Sequence, residues 1–167
     1  MAIQSALTGH LVISTLHTND APSAITRLLE LGVPAYLIKA TLLGIMAQRL
    51  VRTLCPHCKV AEPIDKAAWR ELISPWKIPP PPQMYRPEGC LECRNTGYLG
   101  RQGIYEILTS TPATKQFITE DCRLDELRKT AMKDGMRALR LSGAGKVATG
   151  ETTIAEVMRV APQLQQD

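Results

Sequence analysis

The sequence predicts an α/β fold that carries a small cysteine-held insert and closes on a helical subdomain, and three observations support this. A β-branched apolar run, His10-Leu11-Val12-Ile13-Ser14-Thr15-Leu16, precedes a capped amphipathic stretch, a strand-then-helix pattern. Two C-x-x-C pairs, Cys55/Cys58 and Cys90/Cys93, bracket a segment rich in proline. From Leu124 onward, apolar residues recur at helical spacing.

Bulk properties set the frame. A chain of 167 residues suffices for one ordinary domain or two small ones sharing a core, and 44% hydrophobic with 22% charged residues is the composition of a folded globular protein. The net charge of +4 is mild, and acidic residues are interspersed among the basic ones, which argues against a dedicated nucleic-acid surface. Lys39, Arg49 and Arg52 interrupt the longest apolar candidate, so no run reaches the roughly 20 apolar residues of a membrane span. Met1–Thr8 lacks the basic-then-apolar pattern of a signal peptide, and the cytoplasm is the expected compartment.

The run 10–16 reads as a core strand of a sheet buried on both faces. Asn19 or Asp20 can cap the next helix, Pro22 suits its first turn and Gly32 its end; Ile25, Leu28, Leu29 and Leu31 form its buried face. Ile38, Thr41, Leu42, Ile45, Met46, Arg49 and Leu50 keep helical spacing, which predicts a second helix from Pro34 to about Arg52. In the insert, Asp65 can cap a short helix whose Ala68, Trp69, Leu72 and Ile73 face one way, and Pro79–Pro82 favours a stiff polyproline spacer. Ile104–Leu108 reads as a strand. Leu124, Leu127, Ala131 and Met132 mark a helix stopping near Gly135, and Gly143 and Gly145 weaken a candidate over 136–145. Thr153 and Glu156 fit a capping box for a last helix with an Ile154, Val157, Met158 stripe, followed by Pro162 and a frayed tail over Gln163–Asp167. The segments predicted are therefore 1–53, the end of an α/β core; 54–103, the cysteine-bearing insert; and 104–167, a strand plus helices.

Structural zinc takes four ligands in a closed tetrahedron, and thiolates suit its borderline softness. Each C-x-x-C turn can aim two sulfurs at one ion, which makes Cys55, Cys58, Cys90 and Cys93 the predicted ligands of a structural Zn2+. The 31 residues between Cys58 and Cys90 exceed the spacing of about 15–20 in a zinc ribbon, but a doubled loop costs only about 0.6 kcal/mol of closure entropy. Two disulfides and a thioredoxin-like redox pair are the competing readings; a reducing compartment disfavours the first, and absence of a strand-to-helix context the second. His57 lies within the first turn and could replace a thiolate. Cys122 has no sequence partner and reads as a small, partly buried side chain.

The strings Leu7-Thr8-Gly9-His10-Leu11-Val12-Ile13-Ser14-Thr15-Leu16-His17-Thr18-Asn19, Gln48-Arg49-Leu50-Val51-Arg52-Thr53-Leu54-Cys55-Pro56-His57-Cys58 and Gly97-Tyr98-Leu99-Gly100-Arg101-Gln102-Gly103-Ile104-Tyr105-Glu106 resemble, in order, the traffic ATPases of type II secretion and type IV pilus assembly, the GspE and PilB group. The resemblance runs from about Ala6 to Val160. It implies the C-terminal portion of a RecA-like P-loop NTPase domain, in a cytoplasmic hexameric motor that works against inner-membrane secretion or pilus platform proteins without entering the bilayer. It places His10 and His17 on the family's histidine box near the nucleotide phosphates, with His17 the better γ-phosphate contact, and Arg101 on a position that approaches the phosphates. Read as residues alone, either histidine can be a hydrogen-bonded structural group and Arg101 a solvated turn residue. No G-x-x-x-x-G-K-[ST] occurs in the chain, and Gly143-Ala144-Gly145-Lys146 is a decoy, with Arg140 at the first glycine position and Val147 at the hydroxyl position. The resemblance thus implies that ATP and Mg2+ belong to the full-length parent, with this chain inactive alone.

A reading of another class is a zinc-ribbon nucleic-acid binder, motivated by Arg49, Arg52, Lys59, Arg94 and Arg101. One Phe, four Tyr and two Trp are too few for stacking platforms, and acidic residues flank the cysteines.

Overall fold

A computed structural model describes residues 2–161 as a mixed α/β chain. In order its elements are α1 (Ala2–Leu7), α2 (Ala21–Glu30), α3 (Ala35–Thr41), β1 (Gly44–Leu54), β2 (Val60–Glu62), α4 (Lys66–Ile73), β3 (Met84–Arg86), a 3-10 turn at Leu91–Cys93, β4 (Tyr98–Thr109), α5 (Pro112–Gln116), α6 (Leu124–Lys133), α7 (Leu139–Ala148) and α8 (Ile154–Val160). β1 pairs with β4, and β2 with β3. The first pair is antiparallel: Ser110 N–H donates to the Leu43 carbonyl at one end, and Cys55 N–H to the Gly97 carbonyl at the other.

The chain forms two compact units, each discontinuous in sequence. Among the described residues, one holds those up to Ala47 together with Glu106–Arg137; the other holds Gln48–Tyr105 together with those from Ala138 to Ala161. This grouping differs from three consecutive segments divided near residues 53 and 103.

In the first unit, Ala21, Ile25, Ile38, Leu108, Ile118, Leu127, Ala131 and Met136 form the core. Asp20 caps α2 by accepting from Ser23 N–H at 2.9 Å, and its other oxygen takes Arg128 of α6 at 2.8 Å. The buried Glu106 carboxylate accepts from Ala21 N–H at 2.8 Å, which ties the first turn of α2 to β4. Gly32 ends α2 with φ near 82°, a conformation glycine adopts without a Cβ penalty. Leu31, expected on the buried face, is instead exposed at the cap. Cys122 is half-buried against this core, and burial pushes its thiol pKa up. Among the elements missed by sequence reading, α5 carried a usable signal: Thr111 accepts from Thr114 N–H as N-cap, and Pro112 opens the helix.

Two expected elements are corrected. His10–Leu16 forms no strand; it runs as an exposed segment, with Leu11 and Ile13 76% and 87% accessible. A strand exists by its ladder, and no other described strand pairs with this one. The helix expected from Pro34 to Arg52 ends at Thr41, and β1 begins at Gly44. Residues 45, 47, 49, 51 and 53 alternate with the more exposed 44, 46, 48, 50 and 52, so a period of two coexisted with the helical one and pairing with β4 selected it. A Cβ on Gly44 would sit 3.0 Å from the Leu108 carbonyl oxygen, so the chains approach closely there.

The second unit packs α4, α7 and α8 together. Asp65 caps α4 as expected, accepting from Ala67 and Ala68 N–H, and Trp69, Leu72 and Ile73 are buried. Glycine propensity understated α7, because a Cβ on Gly143 would lie 2.2 Å from Val157 Cγ1; the glycine is what allows α8 to come so close. Thr153 accepts from Glu156 N–H as N-cap of α8. The reciprocal half of the capping box is absent, since the Glu156 side chain faces Arg52 instead. Pro162 and the tail Gln163–Asp167 lie outside the described residues. No helix among the described residues is long and apolar enough to cross a membrane.

Candidate metal centre

The two cysteine turns are brought together by backbone pairing on both sides. Cys55 follows directly on β1, where its N–H donates to the Gly97 carbonyl at 3.0 Å, directly ahead of β4. Beyond Cys58, β2 pairs with β3 in the register Val60↔Arg86, Ala61↔Tyr85, Glu62↔Met84, which returns the chain to Cys90. The first turn closes with Lys59 N–H on the Cys55 carbonyl at 3.0 Å, and the second with Asn95 N–H on the Cys90 carbonyl at 2.8 Å. Arg94 and Asn95 sit at positive φ, as the second turn requires.

The four sulfurs of Cys55, Cys58, Cys90 and Cys93 lie within 4.8 Å of one another. Three separations are 3.9 Å (Cys55–Cys90), 3.8 Å (Cys58–Cys93) and 3.7 Å (Cys90–Cys93). A tetrahedron with zinc–sulfur bonds of about 2.3 Å has edges of about 3.8 Å, so the spacing fits one such ion and is nearly twice a disulfide bond of about 2.05 Å. The cluster can hold a metal ion, and its all-thiolate donor set fits zinc. His57 is exposed and lies outside the cluster.

Backbone donors tune these thiols. Gly89 N–H points at Cys58 Sγ (3.3 Å), and Cys90 and Gly97 N–H both point at Cys93 Sγ (3.2 Å each). Burial pushes the Cys58 pKa up to about 11. Burial also opposes ionisation of Cys93, but the N–H groups of Cys90 and Gly97 outweigh it and lower the pKa to about 6. Such bonds favour the ligating thiolate and are the outer support of a metal site.

Gly97 supports the cysteine cluster, a role that sequence reading did not assign to it. Its N–H serves Cys93, its carbonyl receives Cys55, its φ is 74°, and a Cβ there would lie 2.3 Å from Pro87 Cβ. Gly97→Ala should destabilise the metal-loaded protein by about 2 kcal/mol, combining left-handed backbone strain with overpacking. Chemical denaturation checks this, and an unchanged midpoint would refute it.

The turns are fastened to α8 by a network absent from the sequence reading. Buried Glu156 accepts from Arg52 N–H (3.1 Å), from Arg52 Nη2 (2.6 Å) and from Arg159 Nη2 (2.9 Å). The Arg52 guanidinium lies 4.1 Å from the centroid of the Tyr98 ring, and the Tyr98 hydroxyl is 3.2 Å from Thr153 Oγ1. The Arg52 hydrogen bond, with help from Arg159, holds the Glu156 pKa down to about 2. Residues 52 and 156 lie 104 apart, and no local pattern announces such a pair.

The other predicted site residues are solvent-exposed. His10 and His17 lie exposed on the extended segment of the first unit, with His10 Nδ1 3.1 Å from Thr8 Oγ1. Arg101 is exposed on β4 in the second unit.

Comparison with known proteins places this architecture. The family pattern described as type II/IV secretion system protein matches residues 1–159. The chain is 54% identical over 97% of its length to the type IV pilus assembly ATPase TfpB of Acinetobacter baylyi. It is 43% identical over 98% of its length to the type II secretion system ATPase E of Vibrio cholerae, and 41% over 96% to the type II secretion system protein HxcR of Pseudomonas aeruginosa. It spans 28%, 32% and 30% of these relatives, respectively. With a match that covers nearly every residue, this chain belongs to the type II/IV secretion system protein family.

Proposed function

We propose that this chain is the C-terminal part of a cytoplasmic ATPase that powers type II protein secretion through pseudopilus assembly. The observation that supports it is the family match over residues 1–159. A second reading, a type IV pilus assembly ATPase, is favoured by the 54% identity to the pilus ATPase of Acinetobacter baylyi against 43% to the secretion ATPase of Vibrio cholerae.

On either reading the parent is a RecA-like motor acting as a homohexamer on inner-membrane platform proteins. The phosphate cradle and Mg2+ ligands lie in the part of the motor outside this chain. His17, with His10, contributes an imidazole near the transferred phosphate, and Arg101 a guanidinium, groups suited to charge that develops on phosphoryl oxygens. Zinc held by Cys55, Cys58, Cys90 and Cys93 is structural, since four thiolates leave no open position. The cysteine turns then offer a rigid docking surface for a platform protein or a neighbouring subunit.

Segment exchange tests this reading. The chain is grafted in place of the corresponding segment of the Vibrio cholerae secretion ATPase and of the Acinetobacter baylyi pilus ATPase, each in a strain lacking its own. Restored secretion or restored piliation identifies the branch, and a stable graft that restores neither overturns the proposal. In a working graft, His17→Ala or Arg101→Ala should lower ATP hydrolysis about a hundredfold while zinc content stays constant. Unchanged hydrolysis would remove these residues from the nucleotide site.

A further inference from the structure

The loop after α4 shapes an open cavity of about 530 Å³ away from the thiols, walled by Ile73, Pro75, Trp76 and Ile78, and its charged lining residues are Arg70 and Lys77. The volume lies within the range of about 300–1,000 Å³ that admits a bulky side chain or small ligand. Its walls are held in place. Trp69 Nε1 donates to the Ile78 carbonyl at 3.1 Å, Trp76 N–H donates to the Ile73 carbonyl at 2.8 Å, and Ile73 is itself buried. A prearranged wall reduces the ordering cost of binding.

Charge gives the groove its direction. Arg70 donates Nε to the Lys66 carbonyl at 3.1 Å, and neither its guanidinium nor the Lys77 ammonium forms an ion pair among the described residues. Both residues are exposed, and no carboxylate lines the cavity. An apolar concavity flanked by cations alone is complementary to an apolar group flanked by anions.

We propose that this groove docks an acidic segment of a partner protein, with one large apolar side chain set against Trp76 and carboxylates on either side meeting Arg70 and Lys77. A single half-buried tryptophan does not make the succession of stacking platforms a single-stranded nucleic acid uses. Two cations around a concavity are also fewer than the clusters of about four to eight basic residues that draw a protein to an anionic membrane surface. The assignment requires no nucleotide and stands apart from the ATPase reading.

The test uses the isotope-labelled full chain loaded with zinc, titrated with a blocked peptide carrying one tryptophan between two runs of glutamate, and with the same peptide built on lysine. The acidic peptide should shift backbone amides confined to residues 70–79, with a Kd of about 10⁻⁴–10⁻³ M. The combined variant Arg70→Glu and Lys77→Glu should weaken the acidic peptide about tenfold and bind the lysine peptide instead. Both side chains are exposed, and the lysine peptide on the unaltered chain gives a comparison that needs no variant. Equal binding of the two peptides, or shifts spread over other basic residues, would overturn the proposal. So would displacement of the acidic peptide by phosphatidylglycerol vesicles or by an oligonucleotide. Shifts at 70–79 that depend on protein concentration without peptide would identify a second copy as the occupant and equally overturn it.

Discussion

Replacing Cys55 and Cys58 together by serine should abolish metal binding and unfold the region around the cysteine turns. Structural zinc contributes about 10–16 kcal/mol of apparent folding free energy in small zinc-finger peptides. Here β1–β4 and β2–β3 pairing and the burial of α4 hold part of the same region. The expected loss is therefore smaller, about 5 kcal/mol or more, which still rivals the whole stability of an ordinary domain. Serine nearly conserves volume, so a loss of this size reports the ion and not a cavity. Trp69 and Trp76 both belong to the second unit and give a fluorescence signal for it. Elemental analysis paired with thermal melting decides the matter: a metal-free double variant that melts with the unaltered protein would leave the thiols without a structural role.

The second large effect is expected at Glu156. Glu156→Ala removes the acceptor for the Arg52 backbone and guanidinium and for Arg159 from a position that is 2% accessible. Breaking a buried pair by removing one partner costs about 3–5 kcal/mol, and the half-exposed Arg52 puts this case at the lower end, about 3 kcal/mol. The isosteric Glu156→Gln isolates the charge. The folded-state pKa of Glu156 is depressed to about 2, below the unfolded carboxylate value of about 4.3. The charged form therefore stabilises the fold fully above about pH 5, and this contribution fades as the pH falls towards about 2. Urea titrations of zinc-loaded protein and its Glu156→Gln variant should differ by about 2 kcal/mol at neutral pH and converge in acid. Subtracting one curve from the other removes the thiolate titration that both share. A difference independent of pH would mean the side chain acts through shape alone.

The tetracysteine cluster was legible because C-x-x-C spacing is local chemistry: each pair is one turn, whatever surrounds it. The caps at Asp20, Asp65 and Thr153 were legible for the same reason, since a side-chain oxygen needs only a donor two or three residues on. Pairings at long range were hidden. β1 carries both a helical and a strand period, and only its partner β4, more than 40 residues away, decides between them. Glu156 satisfied the local pattern of a capping box yet turned to Arg52, because a charge-assisted bond to a guanidinium outweighs a second bond to a neutral backbone N–H. Gly143 lowered the expected helicity of α7 for a sound intrinsic reason, overridden by the contact with Val157. The common face of Trp69, Leu72 and Ile73 was legible, but not what covers it, since the other helices of that unit come from residues 139–160. His10–Leu16 has strand chemistry but no partner strand among the described residues.

The discontinuous second unit has a consequence for biogenesis. Synthesis runs from the N-terminus, and domains form as their parts emerge. A nascent chain that has reached Tyr105 already carries every thiol of the cluster, but α7 and α8, which pack on α4, are still unmade. Glu156, the anchor for Arg52, emerges about fifty residues after Tyr105. The ion can thus be captured by a half-built unit, before α7 and α8 emerge and pack on α4.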